Sequence, residues 1–169
     1  IGAGVIGGGW TARFLLNGID VKIHDPNPEA GRRLREMIAN AERAWDRLTS
    51  APLPKKGSLS FCGTIQEAVD GAVFIEECIP ENLELKRKIL NEIETGAATD
   101  VPIGSSTSGI RPSEMQSEMK HPERLLVTHP FNPVYLLPLV ELCGGHLTDP
   151  EVIGKTSHFL ESLGMRPLK

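Results

Sequence analysis

Three glycines near residue 1 constrain this chain more than any other feature: Gly2-Ala3-Gly4-Val5-Ile6-Gly7 has the spacing G-x-G-x-x-G. Glycines so placed suit a tight turn that opens into a helix and lets the backbone come close to a ligand. Glycine is common here, 17 of 169 residues, so the pattern alone arises by chance about 0.16 times in a chain of this length. Context strengthens it. Asp20–His24 reads as a strand that ends in Asp25, 18 residues after Gly7. That is near the separation at which a dinucleotide-binding unit carries its ribose-binding acid. Gly2 and Gly4 would shape the turn against the pyrophosphate, and Gly7 would let helix and strand pack. The helix start at Val5 and Ile6 would offer N–H groups and a partial positive charge to the anion. Asp25 would accept hydrogen bonds from the ribose hydroxyls and repel a 2′-phosphate, which favours NAD over NADP.

Downstream, helix and strand patterns alternate. Trp10–Asn17 reads as helix closed by Gly18. Asn27 and Pro28 open a second helix that runs to about Arg47, and Ala51-Pro52-Leu53-Pro54 breaks it. Short strands are predicted at Leu59–Phe61, Ala72–Ile75, Pro102–Gly104, Leu125–Thr128 and Leu139–Leu142. Helices are predicted at Thr64–Asp70, Glu81–Thr95, Pro112–Met119 and from Asp149-Pro150 to Leu163. This alternation predicts an α/β fold, a doubly wound and mostly parallel sheet of the Rossmann type. Only Ile1 precedes the first glycine where a buried strand is expected. The chain therefore reads as one NAD-binding domain over residues 1–169, truncated at both ends.

Composition narrows the function. The net charge is -4, with both signs interspersed, which argues against a nucleic-acid surface. No apolar run is long enough to span a membrane. Cys62, Cys78 and Cys143 are far apart and odd in number, so neither a disulfide framework nor a metal site is expected, and free thiols suit a reducing, cytoplasmic setting. His129-Pro130-Phe131-Asn132-Pro133 follows a predicted strand, where open α/β sheets place their chemistry. Glu141 lies 12 residues on, among apolar neighbours. A histidine oriented by a carboxylate can serve as general base toward an alcohol, although a lone His and a lone Glu also occur as structural residues.

The opening fingerprint, Ile79-Pro80-Glu81-Asn82-Leu83-Glu84-Leu85-Lys86, Ser105-Ser106-Thr107-Ser108 and His129-Pro130-Phe131-Asn132-Pro133 occur in that order. Together they resemble the NAD-binding domain of the 3-hydroxyacyl-CoA dehydrogenase family. The resemblance implies His129 as base and Glu141 as its partner, with Ser108 and Asn132 beside the substrate hydroxyl and the nicotinamide. It implies Glu81 and Lys86 along the cofactor's ribose and nicotinamide side. It also implies a following helical domain that completes the substrate cleft and forms a homodimer. Within the family, His129–Glu141, residues 51–57 and Met115–Met119 resemble the L-carnitine 3-dehydrogenases, Tyr135 standing where acyl-CoA enzymes usually carry Pro. The small-molecule substrate expected is therefore carnitine, with an acyl-CoA thioester as the alternative and a non-catalytic nucleotide-binding protein as the third reading. Carnitine's trimethylammonium group would suit an aromatic face, for which Tyr135 and, less directly, Trp45 are candidates.

Overall fold

Helix α1 (Val5–Leu16) begins within the glycine motif, so Gly7, Gly8 and Gly9 lie inside a helix that they disfavour by about 1 kcal/mol each. Close packing offsets that cost. A Cβ on Gly7 would lie 1.9 Å from the Gly2 carbonyl, one on Gly8 2.7 Å from Met37, and one on Gly9 2.9 Å from Val134. The computed structural model describes residues 1–50 and 52–169. Ala51, part of the predicted Pro-rich break, lies outside the described residues.

The remaining elements follow in the expected alternation: β1 (Val21–Ile23), α2 (Ala30–Leu48), β2 (Leu59–Phe61), α3 (Ile65–Val69), β3 (Ile75–Glu77), α4 (Leu83–Gly96) and β4 (Ile103–Ser105). Then come α5 (Pro112–Gln116), a 3-10 turn at Pro122–Arg124, β5 (Leu125–Pro130), β6 (Leu139–Gly144), α6 (Pro150–Ser162) and β7 (Arg166–Leu168). Side-chain caps at Thr64, Asn82 and Asp149 start α3, α4 and α6 by accepting from a backbone N–H of the first turn. Strands β3-β4-β5-β6-β7 form one sheet in that order, and β1-β2 a second. Every pairing is parallel except β5 with β6. Ile1 and Gly2 lie between the two sheets. The Ile1 carbonyl accepts from Cys78 N–H at 2.8 Å, and Gly2 N–H donates to the His24 carbonyl at 2.9 Å.

The core has three parts. Ile65, Leu90, Ile93, Ile103 and Leu125 fill the space between β3–β5 and α3–α4. Ala12, Leu15, Leu34, Ile38 and Trp45 join α1 to α2. Trp10, Leu126, Val140 and Leu160 join α1 to β5, β6 and α6. No helix among the described residues is long and apolar enough to cross a membrane.

Two elements depart from the sequence-based expectation. The strand expected at Ala72–Ile75 runs instead over Ile75–Glu77, with both glutamates buried. Strand β7 was not expected; Arg166–Leu168 extends the sheet beside β6.

Candidate active site

The glycine loop is built from backbone. Gly2 has φ +90°, the left-handed region, and a Cβ there would lie 2.7 Å from the Cys78 carbonyl. Gly4 has nothing within 4 Å of where its Cβ would stand, and no side chain caps the start of α1. The first and third glycines are thus required by packing, and the middle one opens onto free space above the uncapped N–H groups of Val5 and Ile6. An open cradle in front of a helix N-terminus fits a dinucleotide pyrophosphate. Asp25 stands beside it. One carboxylate oxygen accepts from Ala3 N–H at 2.7 Å and the other from Asn27 N–H at 2.8 Å. Each oxygen retains a lone pair for a ribose hydroxyl.

The second half of the site lies where β5 and β6 pair antiparallel. The register sets His129 opposite Glu141, and Nδ1 of His129 is 2.8 Å from Oε2 of Glu141. With Nδ1–H donating to the carboxylate, Nε2 of the neutral imidazole is left as an acceptor. Both side chains are part-exposed. A cavity of about 540 Å³ brings His129 and Glu141 together with Ser108, Arg111 and Lys169. Asn132 is exposed on the loop after β5 and lies outside the residues that line this cavity.

Glu81 holds the Ser108 loop. It accepts from Thr107 Oγ1 at 2.5 Å and Gly109 N–H at 2.8 Å. Partial burial raises its pKa, but these two hydrogen bonds and the charge of Lys86 outweigh that and leave the carboxyl below its ordinary value. Lys86 is placed behind Glu81 in the core. Its ammonium donates to both Glu77 oxygens, at 2.8 and 3.0 Å, and to the Ile79 carbonyl at 3.2 Å, with Glu81 at 3.9 Å.

The two aromatic residues singled out for a cationic ligand sit elsewhere. Trp45 donates its indole N–H to the Tyr135 carbonyl at 2.5 Å, and the Arg13 guanidinium covers its ring at 5.6 Å. Tyr135 packs against the α1–α2 core. Trp45, with Arg13 donating to the Leu137 carbonyl at 3.2 Å, fastens the loop between β5 and β6 onto the helices. Neither ring lines the His129 cavity, because this loop turns back over α1. The residue that sequence reasoning passed over is Phe131. Its ring is 39% exposed and stands 6.1 Å from the His129 ring. Its place two residues after His129 was the available signal. Among the described residues, no group of acidic, His and Cys side chains is arranged to hold a metal ion.

The whole chain, residues 1–169, matches the family described as 3-hydroxyacyl-CoA dehydrogenase, NAD binding domain. It is 58% identical over 166 residues to an L-carnitine dehydrogenase/betainyl-CoA thioesterase of Rhizobium meliloti, covering 98% of this chain and 34% of that protein. It is 55% identical over 169 residues to an L-carnitine dehydrogenase of Mesorhizobium japonicum, covering 99% of this chain and 46% of that protein. The chain thus spans between a third and a half of the length of these relatives. Among solved structures, the NAD+-dependent dismutase 5-formyl-3-hydroxy-2-methylpyridine 4-carboxylic acid 5-dehydrogenase superposes with TM-score 0.91 at 32% identity, over 99% of this chain and 54% of that one. The Escherichia coli 3-hydroxybutyryl-CoA dehydrogenase superposes with TM-score 0.87 at 25% identity, over 99% of this chain and 36% of that one.

Proposed function

This chain belongs to the family of 3-hydroxyacyl-CoA dehydrogenase NAD-binding domains, and we propose that the protein it forms oxidises the C3 hydroxyl of L-carnitine, a small-molecule substrate, to 3-dehydrocarnitine. The observation that carries the reaction is the His129–Glu141 pair at 2.8 Å in one cavity with Ser108. Relatives at 49% to 58% identity named L-carnitine dehydrogenase support the substrate.

NAD, when bound on the glycine loop, supplies the hydride acceptor. The turn at Gly2 and Gly4 and the N–H groups of Val5 and Ile6 would hold its pyrophosphate, with Gly7 letting the turn and α1 pack, and Asp25 would hold its ribose. His129 takes the hydroxyl proton on Nε2, and Glu141 stabilises the imidazolium that forms. Ser108 hydrogen-bonds the same oxygen and keeps its proton directed at Nε2. Asn132, on the loop after β5, would donate to the same oxygen as charge develops on it. The exposed face of Phe131 receives the trimethylammonium group, which cannot donate hydrogen bonds but is drawn to an aromatic ring by about 0.5–2 kcal/mol.

The competing substrate is a 3-hydroxyacyl-CoA thioester, favoured by the family's description and by the likeness to the E. coli enzyme. Steady-state NADH formation by the natural protein decides between them. The expected result is a kcat/KM for L-carnitine at least about a hundredfold above that for 3-hydroxybutyryl-CoA. Faster turnover of the thioester overturns the choice.

A further inference from the structure

The His129 cavity is lined by a guanidinium that no side chain of the lining pairs with. Its lining includes one side-chain carboxylate, Glu141, and that group is bound to His129. It also includes Arg111, which is exposed. Backbone groups of Arg111 are engaged: its N–H donates to Glu114 and its carbonyl accepts from Glu114 and Met115. Its guanidinium has no ion pair or hydrogen bond among the described residues. Arg87, on the neighbouring α4, contrasts with it, being tied to Glu84, Glu118 and the Glu114 carbonyl. A second cation, Lys169, borders the same space. The lining side chains therefore carry more positive than negative charge, and Arg111 offers a planar fork of donors matched to a carboxylate.

We propose that Arg111 is the carboxylate-recognition residue of the active site, selecting a free 3-hydroxy acid over its thioester or amide. The inference rests on the reading of the substrate as a zwitterionic 3-hydroxy acid and assigns the end of that molecule which the reading leaves unaccounted for. In such a molecule the hydroxyl carbon lies between a carboxylate and a quaternary ammonium group. Groups of both matching kinds lie near His129. Phe131 comes directly after the strand that carries the base and lies outside the cavity lining, whereas Arg111 is inside the lining, three residues after Ser108 on the adjoining loop. A substrate whose hydroxyl meets Ser108 and His129 can then direct its carboxylate to Arg111 and its ammonium to Phe131. A thioester carbonyl carries no charge at that position and forfeits the ion pair.

The test is steady-state kinetics of the natural protein and its Arg111→Met and Arg111→Lys variants, with L-carnitine and with carnitinamide, which keeps the ammonium and hydroxyl but lacks the negative charge. Arg111→Met is expected to raise KM for L-carnitine by at least about tenfold, with kcat and the KM for NAD changed by less than about twofold. Its KM for carnitinamide should equal that of the parent, and Arg111→Lys should recover part of the L-carnitine affinity. An equal rise for acid and amide, or no rise at all, overturns the assignment while leaving L-carnitine oxidation intact. Turnover of 3-hydroxybutyryl-CoA but not L-carnitine by the parent overturns the substrate reading and the assignment with it. A KM for that thioester that also rises in Arg111→Met would mark Arg111 as a contact for the coenzyme A phosphates instead.

Discussion

Glu76 and Glu77 are neighbours on β3, both buried, yet they face opposite sides of the sheet and meet opposite environments. Glu77 meets a cation: Lys86 binds both its oxygens, with Ser105 Oγ donating at 2.6 Å and Ile79 N–H at 2.7 Å. Glu76 meets only hydroxyls. Ser106 Oγ donates to it at 2.6 Å, and Thr128 Oγ1 lies 2.8 Å from both oxygens. Gly104 on the intervening strand makes the second contact possible, since a Cβ there would stand 2.4 Å from each partner. Burial then pushes the Glu76 carboxyl up to about 8, against the pull of its hydrogen bonds. A carboxylate in this core is either matched by a cation or keeps its proton. The two sides also serve different parts of the site. The Glu77 side leads through Lys86 and Glu81 to the Ser108 loop. The Glu76 side leads through Ser106 to Trp10 on α1 and also to Thr128, the residue next to His129.

The comparison breaks most severely at Lys86. With side chains 1% and 0% exposed, replacing Lys86 by Met leaves the Glu77 charge stranded and should cost about 3–5 kcal/mol of unfolding free energy. Urea denaturation measures this, and adding Glu77→Gln should restore much of the loss. A single variant within about 1 kcal/mol of the parent would mean that the pair contributes like a surface one. A smaller effect sharpens the comparison on the other side. Glu76 holds its proton in the folded state from its ordinary 4.5 up to about 8, whereas the unfolded chain releases it near 4.5. The parent should therefore lose stability as pH rises through that window and level off above it. Glu76→Gln should change stability little at pH 5 and flatten the decline by pH 9. Parallel pH profiles for parent and variant would show that Glu76 is ionised in the folded protein.

These two residues also explain what the sequence did and did not disclose. The apolar run predicts a strand that stops at Ile75, whereas β3 continues through the two glutamates. Their partners, Lys86, Ser106 and Thr128, are 9 to 52 residues away, beyond any local pattern. The glycine loop was legible because its requirements are steric and local to a six-residue motif. The His129–Glu141 pair was legible as two motifs, and the antiparallel register of β5 with β6 supplies the contact itself. Tyr135 and Trp45 drew attention as aromatic residues near His129 in sequence or suited to a cation. Their ring positions depend on how the loop after β5 folds back over α1, which no spacing encodes. Phe131 and Arg111 escaped notice for the converse reason, since exposure and lack of a partner become visible only in three dimensions.

We propose that cofactor binding and proton abstraction reside in separable halves of the site, a floor made of backbone and a base made of His129. Turnover of L-carnitine and the dissociation constant for NAD, measured together in His129→Ala of the natural protein, test it most directly. The account predicts that turnover falls by about 10²–10⁴-fold while NAD affinity stays within about twofold of the parent. Unchanged turnover, or a loss of NAD binding as large as the loss of turnover, would contradict it.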